Sequence, residues 1–171
     1  QQVAKDLPPR TEEEVYAKME GIQRQLYKAE LRRIQKALLG VDSDESVKKN
    51  SFAILQGLMR LRQICCHPGL VDPKYAKEDS AKLDQLREEG HKVLVFSQFV
   101  SMLEIIKARL EENNHPYNYL TGQTKDRKAE IEKFQTTKEP SVFLLSLKAG
   151  GAGLNLTSAS YVILYDPWWN P

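Results

Sequence analysis

Two short apolar runs, Val142 to Leu145 and Tyr161 to Tyr165, flank a glycine-rich stretch, and this arrangement restricts the fold more than any other part of the sequence. Runs this short, built from Val, Phe, Leu, Ile and Tyr, predict strands rather than helices. The first breaks at Ser146 into LKAGGAGLNL, and the second ends in Asp166 followed by Pro167, Trp168 and Trp169. A strand, a loop and a second strand are expected, with polar chemistry just past each strand end. Gly150, Gly151 and Gly153 lack a Cβ, so the loop can adopt positive φ and bring its backbone N–H groups against another surface, such as a phosphate.

Upstream, the same alternation repeats. Lys92 to Phe96 is a β-branched run; Phe99, Leu103, Ile106 and Leu110 form a helical stripe; Tyr117 to Leu120 is a second short strand. Lys125 to Gln135 reads as a helix with Ile131 and Phe134 inward and Thr124 as its N-cap. Strands alternating with helices predict an α/β domain with a mostly parallel sheet and helices on its faces. Near-continuous apolar strands further predict that both faces are covered. Ligands of open α/β sheets bind beyond the carboxyl ends of the strands. Here those positions are Ser97 and Gln98, Thr121 and Gly122, Ser146 to Gly153, and Asp166. From pattern alone, a phosphate contact and a tight structural crossover are equally supported for the glycine stretch.

The first half is helical. Pro8 and Pro9 extend the chain, and Thr11 to Met19 is a lead-in. From Gly21, Tyr27, Leu31, Ile34 and Leu38 fall on one face, opposite Arg24, Lys28, Arg32 and Lys36, until Gly40 stops the helix. Val41 to Asn50 reads as a polar loop, and Ser51 opens a second helix with a stripe of Ile54, Leu58, Leu61 and Cys65, ended by Pro68 and Gly69. An antiparallel pair is expected. Arg60 and Arg62 read as a solvated helix face. Cys65, Cys66 and His67 offer zinc-ligand chemistry, but there is no second ligand pair, so they read as a structural helix end. A short helix, Ser80 to Glu89, leads through Gly90 into the second half.

Composition then excludes several classes. With 171 residues, 41% hydrophobic and 28% charged, the chain suits one core with an appendage. A net charge of +2 argues for no nucleic-acid partner by itself. No run approaches the ~20 apolar residues of a membrane span, and the N-terminus lacks the pattern of a signal peptide, so no membrane partner and an intracellular location are expected. Two adjacent cysteines suit a reducing compartment. The glycine stretch does not open a helix with an acid downstream, as a dinucleotide fingerprint requires. Lys148 precedes the glycines, so a P-loop is absent as well.

The runs KVLVFSQFVSMLEIIKARL, YNYLTGQTKDRKAEIEKF and FLLSLKAGGAGLNLTSASYVILYDPWWNP resemble the second RecA-like lobe of SWI/SNF-family DNA-dependent ATPases, within the superfamily-two helicase-like motors. RLRQICCHPGL and LPPRTEEEVYAKM resemble further blocks of that lobe. The resemblance covers nearly the whole chain, and LKAGGAGLNL followed by YDPWWNP is its most specific part. It implies a three-layer RecA-like α/β lobe with an N-terminal helical protrusion: a lead-in at 1–20, the protrusion at 21–70 and the lobe at 71–171. The segment before Gly90 is short beside the family's usual one.

The resemblance also implies a motor that couples ATP hydrolysis to stepping along double-stranded DNA without separating its strands. ATP would lie between this lobe and a first lobe whose closure shifts one against the other. Ser146, Gly150, Gly151, Gly153 and Asn155 would line the nucleotide cleft, and Ser97, Gln98, Thr121, Gly122, Arg127 and Lys148 would contact DNA. For Arg127 a surface role is equally supported. Trp168 and Trp169 fit packing at a hinge or partner surface better than stacking on a base. The partners implied are double-stranded DNA, the first lobe and a DNA-bound protein complex; the location is cytoplasmic in a bacterium or nuclear in a eukaryote.

ATP and Mg²⁺ would serve the full-length protein, with neither expected on the isolated chain. The family's phosphate-binding lysine, its acidic residues and its arginine block, worth ~10³ or more in rate in related chemistry, are not in these residues, so the isolated chain is expected to be inactive. A strand-separating helicase lobe and a non-catalytic interaction module are the alternatives.

Overall fold

Four parallel strands make one sheet: β1 (Val93–Ser97), β2 (Tyr117–Leu120), β3 (Val142–Ser146) and β4 (Tyr161–Leu164), in the order β2–β3–β1–β4. The computed structural model describes residues 11–14, 16–39, 44–78, 91–150 and 153–167. The helix α3 (Val100–Glu112) connects β1 to β2, and α4 (Arg127–Thr136) connects β2 to β3. Parallel neighbours require such crossovers.

The two-residue period of the strands sorts their side chains into two cores. Val93, Val95 and Leu144 face Met102, Leu103 and Ile106 of α3, together with Cys66 and Tyr165. Leu94, Phe143 and Leu145 point the other way, joining Leu120, Ala149 and Phe134 of α4. The Phe134 and Phe143 rings lie 5.0 Å apart at 43°, a tilted contact that adds to the area they bury. Helices on both faces give a three-layer α/β lobe.

Both faces are not covered at β4. Val162 and Leu164 are 60% and 58% exposed, because β4 is an edge strand and no helix among the described residues lies over that part of the sheet. The cap of α4 also differs from expectation. Asp126 accepts from Ala129 N at 2.9 Å, while the Thr124 hydroxyl accepts from Thr121 N at 2.9 Å and is drawn into the preceding turn. After β3 the chain does not loop at once: Leu147–Gly150 forms one helical turn, α5.

Ahead of the sheet stand α1 (Gly21–Leu39) and α2 (Asp44–Cys66). Contacts between Gln23 and Ile64, Glu30 and Arg60, and Ile34 and Gly57 run in opposite chain directions, so the pair is antiparallel. A Cβ on Gly57 would stand 2.5 Å from Ile34 Cγ1; glycine is what lets the helices approach there. Helix α2 begins at Asp44, well before Ser51, so part of the stretch expected as a polar loop is helical.

The buried face of α1 is more polar than its apolar stripe predicts: Gln23, Glu30 and Ile34 are buried, and Leu38 is 51% exposed. Gln23 Nε2 donates to the Ile64 carbonyl at 2.8 Å and to that of Cys65 at 3.3 Å, satisfying carbonyls that the end of α2 leaves open. Glu30 is held by Arg33 at 2.7 Å and Arg60 at 3.6 Å.

His67 is fully buried and carries the turn after α2. Its Nδ1 accepts from Gly69 N at 3.0 Å, which makes Nε2 the protonated nitrogen that donates to the Glu78 carbonyl at 2.8 Å. Among the described residues no cluster of three or more metal-ligating side chains occurs, and no described helix is long and apolar enough to cross a membrane. The expected helix at Ser80 to Glu89, the stops at Gly40 and Gly90, and Gly151, Trp168 and Trp169 lie outside the described residues.

Candidate functional site

Because all four strands are parallel, their carboxyl ends share one edge. Ser97 pairs with Ser146 in register, Leu120 with Leu145 and Phe96 with Leu164. Thr121, Ser146, Ser97 and Tyr165 therefore form one row across the sheet, with Asp166 a residue beyond.

Asp166 is 3% exposed, and its carboxylate binds the end of β1 twice: Oδ2 accepts from Ser97 Oγ at 2.8 Å and Oδ1 from Gln98 N at 3.0 Å. Ser97 is itself fully buried, and its oxygen also accepts from Phe99 N at 3.1 Å. The side chain of Gln98 is half-buried, and its Nε2 has no acceptor among the described residues. Thr121 is 5% exposed; its Oγ1 accepts from Gln123 N at 3.3 Å, closing a hydroxyl turn that leaves Gly122 exposed with open space around it.

On the β3 side, Ser146 Oγ accepts from Ala149 N at 3.3 Å, across the single turn of α5. Gly150 is required by packing: a Cβ there would stand 2.5 Å from Phe96 Cε1. Gly153 has φ +64°, the left-handed conformation expected of the stretch. Arg127 Nη2 reaches the Ala149 carbonyl at 3.4 Å, Lys148 is exposed, and the Asn155 carbonyl accepts from Gln135 Nε2 at 2.7 Å.

This edge presents two cations, Lys148 and Arg127, and the exposed Gly122, beside turns whose buried hydroxyls pair with neighbouring N–H groups and with Asp166. Among the described residues it does not fit a magnesium ion, because both oxygens of Asp166 are committed to Ser97 and Gln98 and Asp126 caps its helix through Ala129 N.

Arg62, which sequence reasoning set aside, braces the site, and Lys92 pins a helix end at the opposite, amino end of the sheet. Arg62 is no solvated face residue: its Nη2 donates to the carbonyls of Asp166 at 3.0 Å and Pro167 at 2.8 Å. Arg60 instead pairs with Glu30 while staying partly exposed. Lys92 Nζ donates to the carbonyls of Phe134 at 2.6 Å and Gln135 at 3.4 Å, where a cation complements the helix C-terminus. A lysine directly before a strand gave no signal of this; the contact spans 42 positions.

The helicase conserved C-terminal domain family matches residues 78–171, and the SNF2-related domain family matches residues 1–70. The C-terminal domain of a Sulfolobus solfataricus SWI2/SNF2 ATPase is 35% identical with a TM-score of 0.71, over 91% of this chain and 72% of that one. The chain thus belongs to the helicase conserved C-terminal domain family, as a second RecA-like lobe of the SWI/SNF type. The Sulfolobus solfataricus SWI2/SNF2 ATPase core in complex with dsDNA is 34% identical with a TM-score of 0.81, over 97% of this chain and 37% of that one. The human SWI/SNF-related matrix-associated actin-dependent regulator of chromatin subfamily A member 1 is 35% identical over 189 residues. These residues cover 99% of this chain but 18% of the human protein.

Proposed function

We propose that this chain is the DNA-gripping half of an ATP-dependent double-stranded DNA translocase. The observation that carries the reading is the single carboxyl edge, where two cations and the exposed Gly122 backbone gather on a lobe similar to an ATPase core solved with dsDNA. Such groups suit a protein that must hold any sequence, because phosphate contacts position without reading bases. Lys148, Arg127 and Gly122 are the groups that reach DNA, and Gln98 acts through the turn that Asp166 holds. Ser97 and Thr121 act by shaping their turns, since both are buried. Ser146, Gly150, Gly151, Gly153 and Asn155 border the nucleotide on the side of a first lobe.

ATP hydrolysis belongs to the full-length protein, with Mg²⁺ held by the other lobe; the isolated chain is inactive and binds ATP weakly. A DNA-bound protein complex is the expected load, in the cytoplasm of a bacterium or the nucleus of a eukaryote. The test is ATP turnover by the full-length protein with and without double-stranded DNA. Stimulation supports the translocase reading, and unchanged turnover at saturating DNA overturns it. A micromolar ATP titration of the isolated chain would overturn the division of labour between lobes.

A further inference from the structure

Arg62 stands where the helix pair meets the chain leaving β4. Its Nη2 donates to the carbonyls of Asp166 and Pro167 at 3.0 and 2.8 Å, and the Cys66 carbonyl accepts from Tyr165 Oη at 3.3 Å. Arg62 and Cys66 are one turn apart on α2, so a single helix face is laid against residues 165–167. Asp166 is the shared node. Its main-chain oxygen is held by α2, and its carboxylate is held by the end of β1 through Ser97 Oγ and Gln98 N. Any displacement of α2 relative to the sheet acts on Asp166 and, through that carboxylate, on the Gln98 turn. A guanidinium suits this task because its charge is permanent and its N–H directions are fixed by planarity.

We propose that Arg62 is a positioning residue that couples the α1–α2 helix pair to the DNA-facing edge of the sheet. A load or partner pressing on the helix pair thereby sets the Gln98 turn. This rests on the translocase reading and deepens it, by giving the helix pair a part in converting ATP turnover into movement. Arg62 does this without touching DNA or nucleotide.

The experiment uses the full-length protein and its R62A and R62K variants. It measures melting, ATP turnover without DNA and at saturating double-stranded DNA, and displacement of a triplex-forming strand per ATP hydrolysed. R62A is expected to lower displacement per ATP about fivefold, within the range typical of residues in coupling networks, with DNA-independent turnover near wild type and a lowered melting point from the two lost hydrogen bonds. R62K is expected to return within about twofold of wild type, because an ammonium still reaches one carbonyl. If R62A does not fold, Tyr165→Phe carries the test by deleting only the neighbouring hydroxyl, with about a twofold loss expected. Unchanged displacement per ATP in R62A, or in Tyr165→Phe where R62A fails to fold, overturns the proposal. A wild-type protein lacking DNA-stimulated turnover would instead overturn the translocase reading itself.

Discussion

Ser97 donates its hydroxyl to Asp166 Oδ2 at 2.8 Å, joining the ends of two strands that are adjacent in the sheet and 69 positions apart in the chain. Both residues are buried, so neither group has water as a substitute partner. Replacing Asp166 with Ala leaves Gln98 N–H without its acceptor and the Ser97 hydroxyl with only the Phe99 carbonyl at 3.2 Å. The expected cost is about 1–3 kcal/mol, that of one orphaned buried group. Asp166→Asn keeps an oxygen for Gln98 N and should lose about half as much. Urea denaturation of the two variants checks the order; equal midpoints would remove the clasp from the account.

Gly150 separates a packing role from a phosphate-binding one. A methyl group there meets Phe96 Cε1 at 2.5 Å, and overpacking of this kind costs about 1–3 kcal/mol. Gly150→Ala should therefore destabilise the chain, and Phe96→Leu in the same molecule should recover most of the loss. Chemical denaturation of the two single variants and the double variant measures the coupling. Additive losses would mean that Gly150 is needed for some reason other than the ring beside it.

The lobe was legible in the sequence wherever one short segment carried its own period. The strand at 117–120 and the inward Phe134 follow from local pattern alone, and the strand-end set Ser97, Thr121, Ser146 and Asp166 follows from their alternation with helices. What escaped depends on partners far along the chain. Gln23 and Glu30 look like surface residues until α2 supplies their partners, and Arg62 looks solvated until residues 166 and 167 arrive, 104 and 105 positions later. The cap of α4 failed for a nearer reason: Thr124 and Asp126 can both cap a helix, and the choice was made by the Thr121 turn, which takes the threonine hydroxyl. Burial at the candidate site was equally illegible, because a serine at a strand end reads the same whether it meets solvent or an aspartate.

Two tyrosines on the edge strand β2 face carboxylates of α3: Tyr117 donates to Glu111 and Tyr119 to Glu104. The hydrogen bond to Glu111 is the main cause pushing the Tyr117 phenol up to about 12, and burial followed by Glu104 raises Tyr119 as well. A phenol raised in the folded state favours folding fully below its unfolded value near 10, and that contribution is lost as pH climbs toward the folded value. Stability should therefore fall between pH 10 and about 12. Tyr117→Phe should flatten that fall, read from urea midpoints against pH. A slope identical to wild type would show that the Glu111 contact does not persist in solution.

Lys148 and Arg127 differ in how they are held, and salt dependence distinguishes what that means for DNA. Lys148 is exposed, whereas Arg127 donates to the Ala149 carbonyl at 3.4 Å. Each phosphate contact adds about 0.9 to the slope of log affinity against log salt, through the counterions it releases. Lys148→Ala in the full-length protein should lower that slope by about 0.9 and leave the urea midpoint unchanged. Arg127→Ala should lower the slope similarly and also cost about 0.5–1.5 kcal/mol of stability, the usual worth of a lost hydrogen bond. Fluorescence anisotropy on a labelled duplex from about 50 to 200 mM salt, where log affinity falls linearly with log salt, reads both slopes. A stability loss with an unaltered slope would leave Arg127 as a brace on α5 and assign the electrostatic contact at this corner to Lys148 alone.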